Sequence, residues 1–187
     1  MRDLILGLVL ILAAPAAVVS AQSQPTPIEI HMSHMLAGSG EWRTPNADFD
    51  PDTPGSIAQF GADYRTSPDR SHVIAEITGL TGDGRRAVYW TIYFFYNPVL
   101  EEVVSQQIGW NGAYLEGREE YTGVLLGPGE TRVSDQLHFN PDGSVFISRH
   151  EIRLVEAGTH TTQTYDRAED GSWQPRNFRT WTLAEAD

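Results

Sequence analysis

Six histidines are the side chains in this sequence best suited to metal or acid–base chemistry. His31 and His34 stand three positions apart and share one face if residues 28–36 are helical. Two such imidazoles are half of a zinc or copper site. Glu29 is the one carboxylate at helical spacing from them, and the chain has no cysteine. The expectation is therefore no tightly bound metal and no cofactor, with the pair lying in a solvated N-terminal segment. His138, His150 and His160 fall on consecutive late strands. The turn Asn140-Pro141-Asp142-Gly143 limits their register. With Phe139 opposite Ser144, His138 faces Val145. Slippage of a residue or two sets it against Phe146 or Ile147 and never against His150. One residue of slippage also sets Asp135 opposite Arg149, an ion pair contributing roughly 0–1 kcal/mol at a surface.

The doublets Glu101-Glu102 and Glu119-Glu120 invite a glycosidase reading, which needs two carboxyls across a cleft. Neighbours on a strand point to opposite faces, so neither doublet supplies that pair alone. No serine stands in a Gly-x-Ser-x-Gly context. The glycines from Gly79 to Gly84 lack the lysine and helix of a phosphate loop. No catalytic residue is assigned. For an enzyme working in a polar interior, Glu116, Arg118 and His150 are the candidates.

Aromatic side chains are the remaining chemical signal. Trp90, Phe94 and Tyr96 share one face of a strand over residues 86–96, and Tyr89, Tyr93 and Phe95 share the other. Trp110 follows on the next strand. Residues 113–126 carry charge on both alternating sets: Tyr114, Glu116, Arg118 and Glu120 on one, Leu115, Gly117, Glu119 and Tyr121 on the other. Residues 144–156 are mixed in the same way. A polar interior fits a wet cavity and fits internal ion pairs equally well. An apolar wall with a few fixed polar groups is the usual make-up of a small-molecule site. That places a ligand near Trp90, Phe94, Trp110 and Arg118, with an inward arginine favouring an anionic or amphipathic molecule.

The elements that must hold these residues are strands. Residues 57–66, 72–78, 86–96, 102–110, 113–126, 131–139, 144–156, 159–167 and 173–183 are rich in β-branched and aromatic residues. Glycine, asparagine and proline turns separate them. Residues 46–55 read as a loop, and residues 28–36 suit a short helix. No helix between strands is long enough for a parallel crossover. The expected fold is all-β: one antiparallel up-and-down barrel of about nine or ten strands with a short N-terminal helix. A two-sheet sandwich is the alternative.

Composition bounds the setting. The net charge is −12 and every basic residue except histidine is arginine, so nucleic acid and anionic lipid are excluded as expected partners. Arg2, the apolar stretch over residues 4–19 and Val19-Ser20-Ala21 have the three-part layout of a secretory signal peptide, cut after Ala21. The stretch is short of the roughly 20 residues of a membrane span, so no stable insertion after cleavage is expected. Residues 1–21 are then the leader, 22–37 a tether with the short helix, and 38–187 the barrel domain of an exported protein, periplasmic or secreted. An outer aromatic face would serve as a homo-oligomer interface.

Gly40-Glu41-Trp42, after the short helix and opening the first strand, resembles the lipocalin signature. Leu36-Ala37-Gly38, the turn at 140–143 and the tail from Tyr165-Asp166-Arg167 through Gly171-Ser172-Trp173 to Arg179-Thr180-Trp181 resemble those of a set of exported bacterial lipocalin-like proteins. The whole chain after the leader is similar to that set. The resemblance implies a late arginine packed over the early tryptophan at the barrel floor. Arg179, or else Arg176, would stack on Trp42, with Gly40 allowing the chain's close approach. It also implies non-catalytic binding of a small molecule in the barrel. An enzyme with a polar interior and a packed structural barrel without ligand are the alternatives.

Overall fold

The fold begins by closing one end of itself. The structure, a computed structural model, describes residues 24–185, so the expected signal peptide lies outside the described residues. Thr26 and Glu29 form a reciprocal capping box, and Pro27 pre-sets the first turn, which starts helix α1 (Pro27–His31). The helix ends after five residues, shorter than the 28–36 span the spacing suggests. Turns then carry the chain to Gly40. Instead of lying in solvent, this segment buries Ile28, Met32 and Met35 against Val73, Ala75, Ile92, Phe94 and Val103. The expectation of a solvated N-terminal segment is corrected by that packing. Each of the three apolar side chains gains roughly 1.5–3 kcal/mol by leaving water.

The strands are β1 (Glu41–Pro45), β2 (Ile57–Thr66), β3 (His72–Thr81), β4 (Arg86–Asn97) and β5 (Glu102–Gly109). There follow β6 (Tyr114–Glu120), β7 (Thr131–Phe139), β8 (Val145–Glu156), β9 (Thr159–Arg167) and β10 (Trp173–Leu183). Each pairs antiparallel with its sequence neighbours, and β10 returns to β1, so the sheet is a closed ten-stranded barrel. Closure removes the free edges a sandwich would keep. The late hairpin adopts the slipped register. His138 pairs with Phe146, and Asp135 faces Arg149 with guanidinium–carboxylate contacts of 2.7 and 3.0 Å. Strand β6 stops at Glu120, short of the expected Leu126. Tyr121 turns inward there onto Tyr96, their rings 4.6 Å apart, beneath the N-terminal plug.

Two bulges shape the inner wall. Between β3 and β4, Ile77 pairs with Trp90 and Thr78 with Val88, which leaves Tyr89 as an extra residue. Between β9 and β10, Arg176 pairs with Thr164 and Arg179 with Thr162, which leaves one extra residue around Asn177, whose φ is 53°. The seam between β1 and β10 is the shortest ladder, joined at Trp42–Leu183 and Arg43–Thr182.

Gly40 fixes the plug to the barrel. Its φ of 73° is one that side chains resist, a Cβ there would overlap the Tyr64 carbonyl oxygen, and its own carbonyl accepts from the Tyr64 amide at 2.8 Å. Fully buried Trp42 then donates its indole N–H to the Met35 carbonyl at 2.9 Å. Gly40→Ala is expected to lower stability by about 2–3 kcal/mol through strain and displacement. Urea denaturation checks this, and a loss below about 0.5 kcal/mol would contradict the role given to Gly40.

Candidate functional site

The plug occupies one end of the bore, and above it lies a cavity of about 360 Å³. The strand alternation supplies its walls. On one side stand Phe60 and Tyr64 of β2, Ile77 of β3 and Tyr89, Trp90, Ile92 and Phe94 of β4. The bulge in β4 is why Tyr89 joins Trp90 here, although strict alternation assigns them to opposite faces. Facing them are Ser105 and Gln107 of β5, Gln136 and His138 of β7, His150 of β8 and Thr162 and Thr164 of β9. At the mouth, opposite the plug, β10 contributes Arg176, Asn177 and Arg179.

The polar wall inverts the usual pattern. Strand β7 buries Ser134, Gln136 and His138 while leaving Val133, Leu137 and Phe139 exposed. Among the described residues Ser134 Oγ has no hydrogen-bond partner, and the side chain of well-buried Gln136 makes no hydrogen bond. Buried polar groups without partners are costly, so such a wall departs from the usual pattern of satisfied buried polar groups.

Neutral histidines line and underlie the cavity. Burial, reinforced by the neighbouring His34 and His150, lowers His160 to about 3. Burial and the charge of Arg176 lower His138 to about 4, against the opposing pull of Asp166. Burial also lowers His150, and burial with Arg132 lowers His34. His34 Nε2 lies 3.2 Å from His160 Nδ1, and His31 Nε2 lies 3.0 Å from the Glu119 carboxylate. His31 and His34, whose spacing would give half of a metal site, are thus tied to the barrel wall, each to a different partner. His138 Nε2 lies 2.6 Å from Ser148 Oγ, a spacing that suggests a serine nucleophile. Ser148, however, is fully buried behind a histidine ring stacked on Phe146 at 4.2 Å. The bond fixes the histidine's orientation and leaves the hydroxyl no access to a substrate.

The residues named from the sequence divide. Trp90 and Phe94 line the cavity. Trp110 does not: it is 74% exposed at the β5–β6 turn, edge-on to Tyr89. Arg118 points outward and pairs with Glu102 at 3.2 Å and Glu116 at 2.9 Å. The inward charge of β6 is Glu119, from the other alternating set. Glu116 and Arg118 are therefore separated by the barrel wall from His150, and the three cannot share a site. The expected stack of Arg179 on Trp42 is replaced by two separate contacts. Arg179 lies over Phe60 at 4.1 Å, and Trp42 packs against His34 and His160 at 4.7 and 4.5 Å. Trp42 pairs with Leu183, and Arg179 lies further along β10 toward the mouth, away from the end where Trp42 sits. Gln107 and Gln136 were not singled out from the sequence, and Tyr89 was assigned to the face opposite Trp90. The polar alternation of β7 was the available signal for Gln136.

No family model matches this chain, and a search of curated proteins finds no similar one.

His138 and His160 make stability pH-dependent. In the unfolded chain both protonate near 6.5, whereas the fold keeps them neutral down to about 4 and about 3. The unfolded state therefore binds more protons below pH 6.5. Stability is complete above that value and falls as the pH drops toward the folded values. His160→Gln is expected to flatten the fall by at most about 1.4 kcal/mol per pH unit. Urea denaturation between pH 7.5 and 4.5 measures the slopes, and parallel slopes for the two proteins would rule the assignment out.

Proposed function

We propose that this protein binds a small amphipathic molecule, without transforming it, inside the barrel of an exported lipocalin-like protein. The observation that carries the reading is the cavity itself: about 360 Å³, with an aromatic wall facing a neutral polar wall that contains the unpartnered Gln136 amide. That volume lies at the small end of the range for ligand sites. Aromatic rings accept a flat or branched apolar body, and the amides and threonines opposite supply hydrogen bonds for orientation. An open cavity weighs against the packed-scaffold reading, and the burial of Ser148 weighs against a hydrolase. The leader-like residues 1–21 support export, and Gly40-Glu41-Trp42 at the start of β1 supports the lipocalin-like assignment. The −12 charge supports a small-molecule partner over nucleic acid.

Native mass spectrometry of protein purified from its own host should show one retained small molecule per chain. Gln107→Trp, which places an indole in the cavity, should abolish that adduct while leaving the folded charge-state distribution intact. A host-purified protein with no adduct, together with a flat tryptophan-fluorescence response to fatty acids, aromatic acids and neutral lipids, would sink the reading.

A further inference from the structure

Arg179 differs from the arginines around it. Arg118 and Arg149 on the outer wall each meet a carboxylate within 3.2 Å, and Arg176 on the same strand meets Asp166 at 2.8 Å. Arg179 is half-buried, and among the described residues its guanidinium has no carboxylate within 4.0 Å and no hydrogen bond. Its packing partner is the Phe60 ring. Carboxylates are not scarce, since the chain holds 25 aspartates and glutamates against 13 arginines. A cation taken partly out of water without a counterion carries an uncompensated cost. Burial pushes its pKa down, and the charge of Asp48 offsets that only in part.

Its position gives the missing counterion a place. Asn177 and Arg179 line the barrel cavity and also a cleft of about 540 Å³ where the β1–β10 seam opens beyond Arg43–Thr182. The cleft's other wall is Thr44 to Asp48. The guanidinium thus stands where the cavity, the seam and the mouth meet. It stands just past the bulge, in regular register two residues before Trp181, and shares that residue's inward face. Below it the aromatic wall descends from Phe60 and Tyr89 to Phe94.

We propose that Arg179 is the anion-recognition residue of this cavity, and that the ligand is a small amphiphile with a single terminal oxyanion, carboxylate or sulfonate. The head pairs with Arg179 at the seam and the apolar body lies inward along the aromatic wall. The planar fork of arginine holds such a group through two parallel hydrogen bonds. Cation–π contact with Phe60 fixes the guanidinium plane in advance, which reduces the ordering cost on binding. The proposal rests on the binding function proposed above and adds the ligand's charge and its orientation.

Two probes with the same aromatic body separate the two claims: 8-anilino-1-naphthalenesulfonate, and its neutral counterpart N-phenyl-1-naphthylamine. Both are titrated by fluorescence into wild type, Arg179→Gln, Arg179→Lys and Arg118→Gln. Arg179→Gln should weaken the sulfonate about tenfold or more and leave the neutral amine within about twofold, the range expected for loss of one charge-assisted pair. Arg179→Lys should recover part of the loss, and Arg118→Gln should behave as wild type. In wild type, the Arg179 Nε–H resonance should move on adding the sulfonate and stay on adding the amine, a readout that needs no folded Arg179→Gln protein. If both probes bind wild type but the resonance stays still and Arg179→Gln leaves their ratio unchanged, the anion assignment fails and the cavity reading stands. If neither probe binds wild type, both fail.

Discussion

A ten-stranded barrel encloses a bore that must be filled or left wet, and here the seating of the N-terminal segment decides how much of each. Ile28, Met32 and Met35 reach across the bore to strands β3, β4 and β5. Polar ties hold the segment in place: Glu29 to Arg70, His31 to Glu119, and the Met35 carbonyl to the Trp42 indole. Arg132 donates to the His31 carbonyl from the far side. Removing the plug would expose the apolar ring of β3–β5 and leave the His34–His160 and His31–Glu119 pairs without their inner members. Tyr64, Ile92, Phe94 and Ile152 line the cavity and also pack against this segment's core, so the segment sets the cavity's lower limit through them.

With one end closed, the chemistry of the bore depends on what the strands turn inward. Strands β2 to β4 obey the usual rule and bury their aromatic set, with Phe94 and Ile92 in the main core. Strand β7 and the start of β8 reverse it, turning Ser134, Gln136, His138 and Ser148 inward while Leu137, Phe139, Val145 and Ile147 stay exposed. Burial of polar groups costs less beside a cavity that admits water or ligand than inside a dry core. The reversal and the cavity therefore belong together. His138 and Ser148 satisfy each other, so in a barrel with this polar wall and no cavity Ser134 and Gln136 would be the groups left without partners.

The seam is the third element. The ladder between β1 and β10 is short, and the bulge at Asn177 carries β10 away from β1 beyond Thr182. The same irregularity brings Arg176 and Arg179, three apart, to the same side of the strand, where plain alternation would oppose them. One extra residue thus opens the seam and sets two guanidiniums at the mouth. Trp181, two residues on, is back in regular register, buried against Ala62 and Trp42 and donating to Thr162.

The sequence alone was sufficient for most of the strands and their antiparallel order, and it favoured a barrel while leaving a sandwich open; closure itself is tertiary. Alternation and turn chemistry are local, and Asn140 to Gly143 fixes the β7–β8 hairpin within a residue. A strand as apolar as β4 presents an aromatic side inward in either register, and the closed barrel selected the side of Trp90 and Phe94. The tertiary structure decided the rest. Arg118 and Glu119 are adjacent, and only the closed barrel selects which points inward. The bulges at Tyr89 and Asn177 insert single residues with no local marker, so the inward positions of Tyr89 and Arg176 do not follow from counting. The plug was least legible of all: its apolar residues read as a short surface helix until a bore of matching width exists to receive them. Hydrophobic patterning reports which residues prefer burial. It does not report that a barrel will place a wet cavity behind one wall, where polar residues are the stable choice.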